Sequence, residues 1–146
     1  MTAAARARIV ATARSWIGTP YRHQASVRGA GADCLGLVRG IWREVVGPEV
    51  EVAPAYSFDW GETGRREVLF EAARRNLREV ALPGHAGDVV LFRMREKGIA
   101  KHLGVLTEGG ARFVHAFTGH GVVENTLSDP WRRRIVAVFE FPIERI

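Results

Sequence analysis

The chain has 146 residues, 47% hydrophobic and 25% charged, with 21 Lys and Arg against 16 Asp and Glu for a formal net charge of +5. That is one domain with enough apolar content to close a core, which excludes intrinsic disorder and fibrous repeats. No apolar run approaches the roughly 20 residues that cross a bilayer, so no membrane insertion is expected, and the positive charge suits an anionic partner such as cell-wall polymer.

The opening string MTAAARARIVATARSWIG breaks its apolar positions with arginine and lacks a small-residue cleavage site, so no signal peptide is expected. Ile9, Val10, Ala13, Trp16 and Ile17 recur on one face of a helix, which Gly18 and Pro20 stop. Residues 19–33 carry Gly, Pro and Ser and read as a loop. A second helix starts near Asp33 or Cys34, with Leu35, Val38, Ile41, Trp42 and Val45 as its apolar stripe, and Gly47-Pro48 ends it. Residues 48–62, with Tyr56 and Trp60, read as irregular chain that covers the core or walls a cleft. A third helix is predicted over 63–80, with Val68, Leu69, Ala72, Ala73, Leu77 and Val80 facing inward.

The second half reads as strands over 88–94, 102–107, 112–116, 121–125 and 135–141, separated by turn residues such as Gly109-Gly110 and Gly119. Helices followed by strands predict a single α+β domain over 1–146 with a small antiparallel sheet.

Cys34 is the single cysteine, so no internal disulfide can form. With five histidines in the chain, it is either a buried structural thiol or a nucleophile with a distant His partner. The small residues Gly31-Ala32-Asp33 deliver it to the first turn of an apolar helix. There the free backbone N–H groups and the helix dipole favour a thiolate and offer donors to an oxyanion. His102 opens one strand and His115 lies in the next, with Gly109-Gly110 turning between them. In such a hairpin the two side chains share a face. His115 then bonds one ring nitrogen of His102 and leaves the other for the thiol, the plan of nucleophile, base and orienting group. A zinc site from Cys34, His102, His115 and His120 lacks the close ligand pairs of structural zinc motifs. The run Arg132-Arg133-Arg134 beside Trp131 reads as a solvated basic face, without a nucleic-acid motif.

Five strings stand in order along the chain: Gly18-Thr19-Pro20-Tyr21-Arg22, Asp33-Cys34-Leu35-Gly36-Leu37-Val38, Gly87-Asp88-Val89-Val90-Leu91-Phe92, His102-Leu103-Gly104-Val105 and Phe113-Val114-His115-Ala116. From about residue 5 to residue 140 the sequence resembles the NlpC family of bacterial cell-wall cysteine peptidases, above all the short versions in phages and gene transfer agents. The resemblance implies a papain-like α+β fold, with Cys34 as nucleophile, His102 as base and His115 as the residue orienting it. It implies that the Tyr21 hydroxyl positions substrate or stabilises the oxyanion, and that Asp33 caps the helix or touches substrate; His23, two residues after Tyr21, is expected to line the cleft. Leu35 departs from the small hydroxyl residue many members carry after the cysteine, near the substrate's amino end, which bears on any preference for a free stem N-terminus.

The implied reaction is hydrolysis of the peptidoglycan stem between D-glutamate, through its γ-carboxyl, and diaminopimelate. A Cys34 thiolate paired with a His102 imidazolium would carry it, with no metal and no cofactor. The implied partners are peptidoglycan and phage-like tail or hub proteins, with no specific nucleic acid. The implied setting is a protein made in the bacterial cytoplasm, carried in a particle tail and acting on the periplasmic wall during DNA entry. An amidase or acyltransferase on the same scaffold, and a non-catalytic tail-assembly protein, are the alternatives.

Overall fold

The computed structural model describes residues 1–51 and 67–143. Residues 52–62 of the irregular segment, with Tyr56 and Trp60, and the expected start of the third helix lie outside the described residues. Helix α1 (Ala3–Ser15) begins at Thr2, whose side chain accepts from the Ala5 N–H, and helix α2 (Cys34–Val45) begins at Asp33, whose side chain accepts from the Gly36 N–H. Helix α3 (Val68–Asn76) follows, and a four-residue helix α4 (Asp129–Arg132) has Pro130 in its first turn, where proline has no N–H to waste.

Two two-residue strands, β1 (Ser26–Val27) and β2 (Gly31–Ala32), form an antiparallel pair within the stretch read as a loop. Among the described residues the main sheet has six strands: β3 (Arg78–Val80), β4 (Val89–Arg93), β5 (Ala100–Leu106), β6 (Arg112–Phe117), β7 (Gly121–Thr126) and β8 (Ile135–Glu140). Their order is β3-β8-β4-β5-β6-β7, with every neighbouring pair antiparallel. The α+β architecture with helices before an antiparallel sheet is as expected.

Three details differ from the sequence reading. Helix α3 ends at Asn76, and residues 78–80 pair with β8 through Arg78↔Glu140 and Val80↔Val138. Leu77 is already extended, and the open edge of β8 offers this segment ladder hydrogen bonds that outweigh the helical period of its apolar residues. Ile17 is 45% exposed, because α1 ends at Ser15 and the chain turns through Gly18 at φ +94°. The loop over 19–33 is tied down by its small ladder.

The runs in β4 and β5 are buried on both faces, which is why they are nearly continuous apolar sequence rather than an alternation. One face, with Val89, Leu91, Leu103, Val105, Val114 and Phe139, packs against α1, α2 and α3. The other, with Val90, Phe92, Leu106, Phe113 and Val138, closes against Leu127 and Trp131. Helix α2 buries Leu37, Val38, Ile41 and Val45. At roughly 1.5–3 kcal/mol for each such side chain, this packing outweighs the roughly 1 kcal/mol that each of Gly36 and Gly40 costs in helix propensity. Both glycines are there for close approach: a Cβ at Gly40 would run into the Trp16 ring, and one at Gly36 into the Ala25 carbonyl.

Candidate active site

The start of α2 and the start of β5 bring Cys34 and His102 to one pocket of about 270 Å³, whose other lining residues include Tyr21, Arg95, Lys101 and Thr118. Asp33 makes the delivery of Cys34 rigid. It is 2% exposed, its Oδ1 accepts from the Gly36 N–H at 2.7 Å, and its Oδ2 accepts from the Gln24 N–H at 2.7 Å. The second bond draws the 22–25 turn against the helix start. Tyr21 bridges to Ala32, with the Ala32 N–H donating to the Pro20 carbonyl and the Arg22 N–H to the Ala32 carbonyl. This fixes the tyrosine two residues from the nucleophile-bearing turn. Its hydroxyl shares a hydrogen bond with the Thr118 side chain, and burial, together with the charges of Cys34 and Asp33, raises its pKa, so it stays protonated.

The hairpin expectation for the histidines holds. His102 Nε2 and His115 Nδ1 are 2.7 Å apart, and His115 Nε2 meets the Asn125 Oδ1 at 2.7 Å. His102 faces Phe92 across the β4–β5 ladder, and Asn125 on β7 lies diagonally across from His115. With Nε2 of His102 engaged, Nδ1 is left for the thiol. Phe92, Phe113, Phe117 and Trp131 ring the pair, with Trp131 5.8 Å from His102 and 5.2 Å from His115 between ring centres.

The ionisation state differs from the expected thiolate–imidazolium pair. Burial, reinforced by the Asp33 charge, pushes the Cys34 thiol up to about 12. Burial beside His115 pushes His102 down to about 3. Backbone N–H groups of Leu103, Leu35 and Cys34 favour the thiolate, as a helix start should, but desolvation outweighs them. The resting pair is therefore thiol and neutral imidazole. The Cys34 Sγ–H donates to the Lys101 carbonyl at 3.8 Å.

Of the other expected site residues, His23 stands 4.0 Å from the Asp33 carboxylate and outside the Cys34 pocket. Asp33 is a buried cap rather than a lining residue. The Leu35 side chain turns to a separate apolar groove between α2 and α3, with Val38, Trp42, Leu69 and Leu77, while its N–H faces the Cys34 sulfur. His120 stacks on Phe117 at 5.3 Å. Arg134 lies over the Trp131 ring, and Arg132 donates to the Gly110 carbonyl, so two of the three arginines make contacts within the fold. Among the described residues no three His, Cys, Asp or Glu converge as a metal site.

The sequence reading missed Asn125, Thr118 and the aromatic ring. Asn125 had a signal: in a hairpin turning at Gly119 it falls on the same face as His115. Trp131 had none, since α4 reaches the pair only after the sheet has closed.

Residues 18–140 match the profile of the NlpC/P60 family. The murein DD-endopeptidase MepS/murein LD-carboxypeptidase of Escherichia coli is 33% identical over 130 residues, covering 88% of this chain and 59% of that protein. The gamma-DL-glutamyl hydrolase of Bacillus subtilis is 27% identical over 134 residues, covering 91% of this chain and 29% of that protein. The chain thus spans less than two thirds of the length of either relative. The NlpC/p60 domain of the peptidoglycan hydrolase SagA superposes with a TM-score of 0.64 at 22% identity, covering 93% of this chain and 98% of that one. An NlpC/P60 family protein from Bacillus cereus gives 0.67 at 18% identity, over 93% of this chain and 40% of that one. Both share the fold.

Proposed function

Because the chain belongs to the NlpC/P60 family, we propose that it is a cysteine endopeptidase that hydrolyses peptidoglycan stem peptides at the D-γ-glutamyl–diaminopimelate bond. The observation that carries this reading is the 2.7 Å contact between His102 and His115 behind a pocket that Cys34 lines. It supplies a nucleophile, a base and an orienting group in the required order.

Cys34 Sγ attacks the γ-carbonyl carbon of D-glutamate while its proton passes to His102 Nδ1. The carbonyl electrons move to oxygen, where the Cys34 and Leu35 N–H groups and the Tyr21 hydroxyl receive the charge. The C–N bond then breaks, and His102 gives its proton to the departing amine of diaminopimelate. Water attacks the thioester, its proton goes to His102, and the C–S bond breaks as the thiol regains a proton. The neutral resting pair suits this sequence, because His102 acts as a base from its unprotonated form.

The name of the Escherichia coli relative supports murein as the polymer. One relative, a γ-DL-glutamyl hydrolase, supports the bond chosen; the other, a DD-endopeptidase, supports a second reading, cleavage between two D-residues of a cross-link. The same proposal places the domain in a phage-like tail, held by tail or hub proteins and opening the periplasmic wall as DNA enters. That setting rests on the resemblance of the motif set, and mass spectrometry of purified particles tests it.

The test of the reaction is digestion of diaminopimelate-type peptidoglycan by wild type beside Cys34→Ala, with the fragments identified by mass. D-glutamyl–diaminopimelate products from wild type alone are expected. Released cross-link halves would favour the second reading. Sugar chains freed from L-alanine would make the enzyme an amidase. Equal digestion by Cys34→Ala would overturn the scheme.

A further inference from the structure

Three groups form one proton-ordered line: Asn125 Oδ1, His115 and His102, joined by two contacts of 2.7 Å each. Each neutral imidazole carries one N–H, so the direction of one bond dictates the next. An amide oxygen only accepts. Facing Asn125 Oδ1, His115 carries its proton on Nε2 and presents a lone pair at Nδ1. His102 must then donate from Nε2, which puts its own lone pair on Nδ1, the nitrogen left for Cys34. Were the amide turned to offer its NH₂, the whole line would reverse. His102 Nδ1 would carry a proton toward the thiol and be unable to accept another.

We propose that Asn125 is a positioning residue that sets the tautomer of His102 through His115, and so determines whether the base is ready to take the thiol proton. The inference rests on the proposed Cys34–His102 chemistry and goes beyond it by adding a residue that touches neither substrate nor thiol. Asn125 is exposed and His115 fully buried, so the line runs from the surface inward. Without the amide, water takes its place. Water donates as readily as it accepts, and the bias is lost. The ring of Phe92, Phe113 and Trp131 matters for the same reason, since water admitted between the imidazoles would uncouple them.

The experiment compares wild type, Asn125→Val and Asn125→Asp. Aspartate still accepts from His115 Nε2; valine cannot. Three quantities are read: histidine tautomers by ¹⁵N NMR, the rate of Cys34 alkylation by iodoacetamide near neutral pH, and kcat and KM on stem peptide. Wild type is expected to show the Nε2–H tautomer at both His102 and His115. Asn125→Val is expected to mix the His102 tautomers, slow alkylation, and lower kcat roughly tenfold, a fraction of what a general base supplies, with KM unchanged. Asn125→Asp is expected to recover most of the loss. A wild-type His102 carrying its proton on Nδ1, or an Asn125→Val that leaves tautomer and alkylation unmoved, overturns the proposal. Tautomer and alkylation that respond as expected, with no stem-peptide cleavage by wild type, uphold it and overturn the functional reading instead.

Discussion

His102 and His115 meet through ring nitrogens 2.7 Å apart on adjacent strands, one 7% exposed and the other not exposed at all. An ionised imidazole there would sit next to a second ring and under four aromatic side chains, so burial holds both histidines below their ordinary pKa.

This makes stability depend on pH with a definite sign. The unfolded chain protonates these histidines as pH falls through about 6.5, whereas folded His102 takes a proton only near 3. Between those values the unfolded chain binds more protons, so the stabilisation present above pH 6.5 is lost on acidification. Urea midpoints at pH 7 and pH 4.5 should differ, with the lower value at pH 4.5. His102→Gln should flatten that dependence; an unchanged slope would refute the link. At the other end, stability should fall as pH rises from 9 toward 12, because folded Cys34 keeps its proton.

The carboxylate of Asp33 both caps α2 and repels the thiolate. Asparagine caps nearly as well but carries no charge. Asp33→Asn keeps an acceptor for the Gly36 N–H but turns an NH2 toward the Gln24 N–H, so it should lower the melting temperature while moving the pH profile of Cys34 alkylation to lower pH. Asp33→Ala removes both acceptors, the cap and the bond to the Gln24 N–H, and should cost about 2 kcal/mol or more. An alkylation profile identical to wild type in both variants would show that the charge of Asp33 does not reach the sulfur.

Arg6 of α1 donates to the Asp88 carboxylate at 2.8 Å, the Ala86 carbonyl at 3.0 Å and Glu140 at 3.1 Å, fastening the first helix to the sheet. Asp88 is fully buried. Arg6→Ala would strand that charge and should cost about 3 kcal/mol in denaturant unfolding. Arg8→Ala, which removes an exposed bond to the Glu44 carbonyl, should change stability by less than about 0.5 kcal/mol. Equal effects from the two variants would refute the role given to Asp88.

Gly40→Ala is expected to destabilise the protein by about 1–3 kcal/mol. An alanine gains about 1 kcal/mol in helix propensity, but here its methyl group meets the Trp16 ring in a filled core. A rise in the urea midpoint would mean that the ring yields without cost.

Much of the site was legible because its parts are local. Asp33 precedes an apolar stripe, so the cap and the placement of Cys34 follow from a few neighbouring residues. Gly109-Gly110 sets a short hairpin, and period-two alternation then puts His102 and His115 on one face. Tyr21 was harder, since its position depends on a ladder only two residues long that composition alone reads as loop. The segment 78–80 was misread as helix because its true partner, β8, lies about 60 residues further along the chain.

By itself the sequence determined the succession of the first two helices and the strands β4 to β8, the helix that presents Cys34 and the pairing of the two histidines, since each depends on propensity and spacing over a few residues. Only the tertiary structure decided that Trp131 closes over the histidine pair, that Leu35 faces away from the pocket while its N–H faces the sulfur, and that the thiol and imidazole rest neutral. Those outcomes depend on which distant side chains exclude water from a given atom. Desolvation belongs to the assembled fold, and here it overrides the thiolate that the start of α2 would otherwise favour.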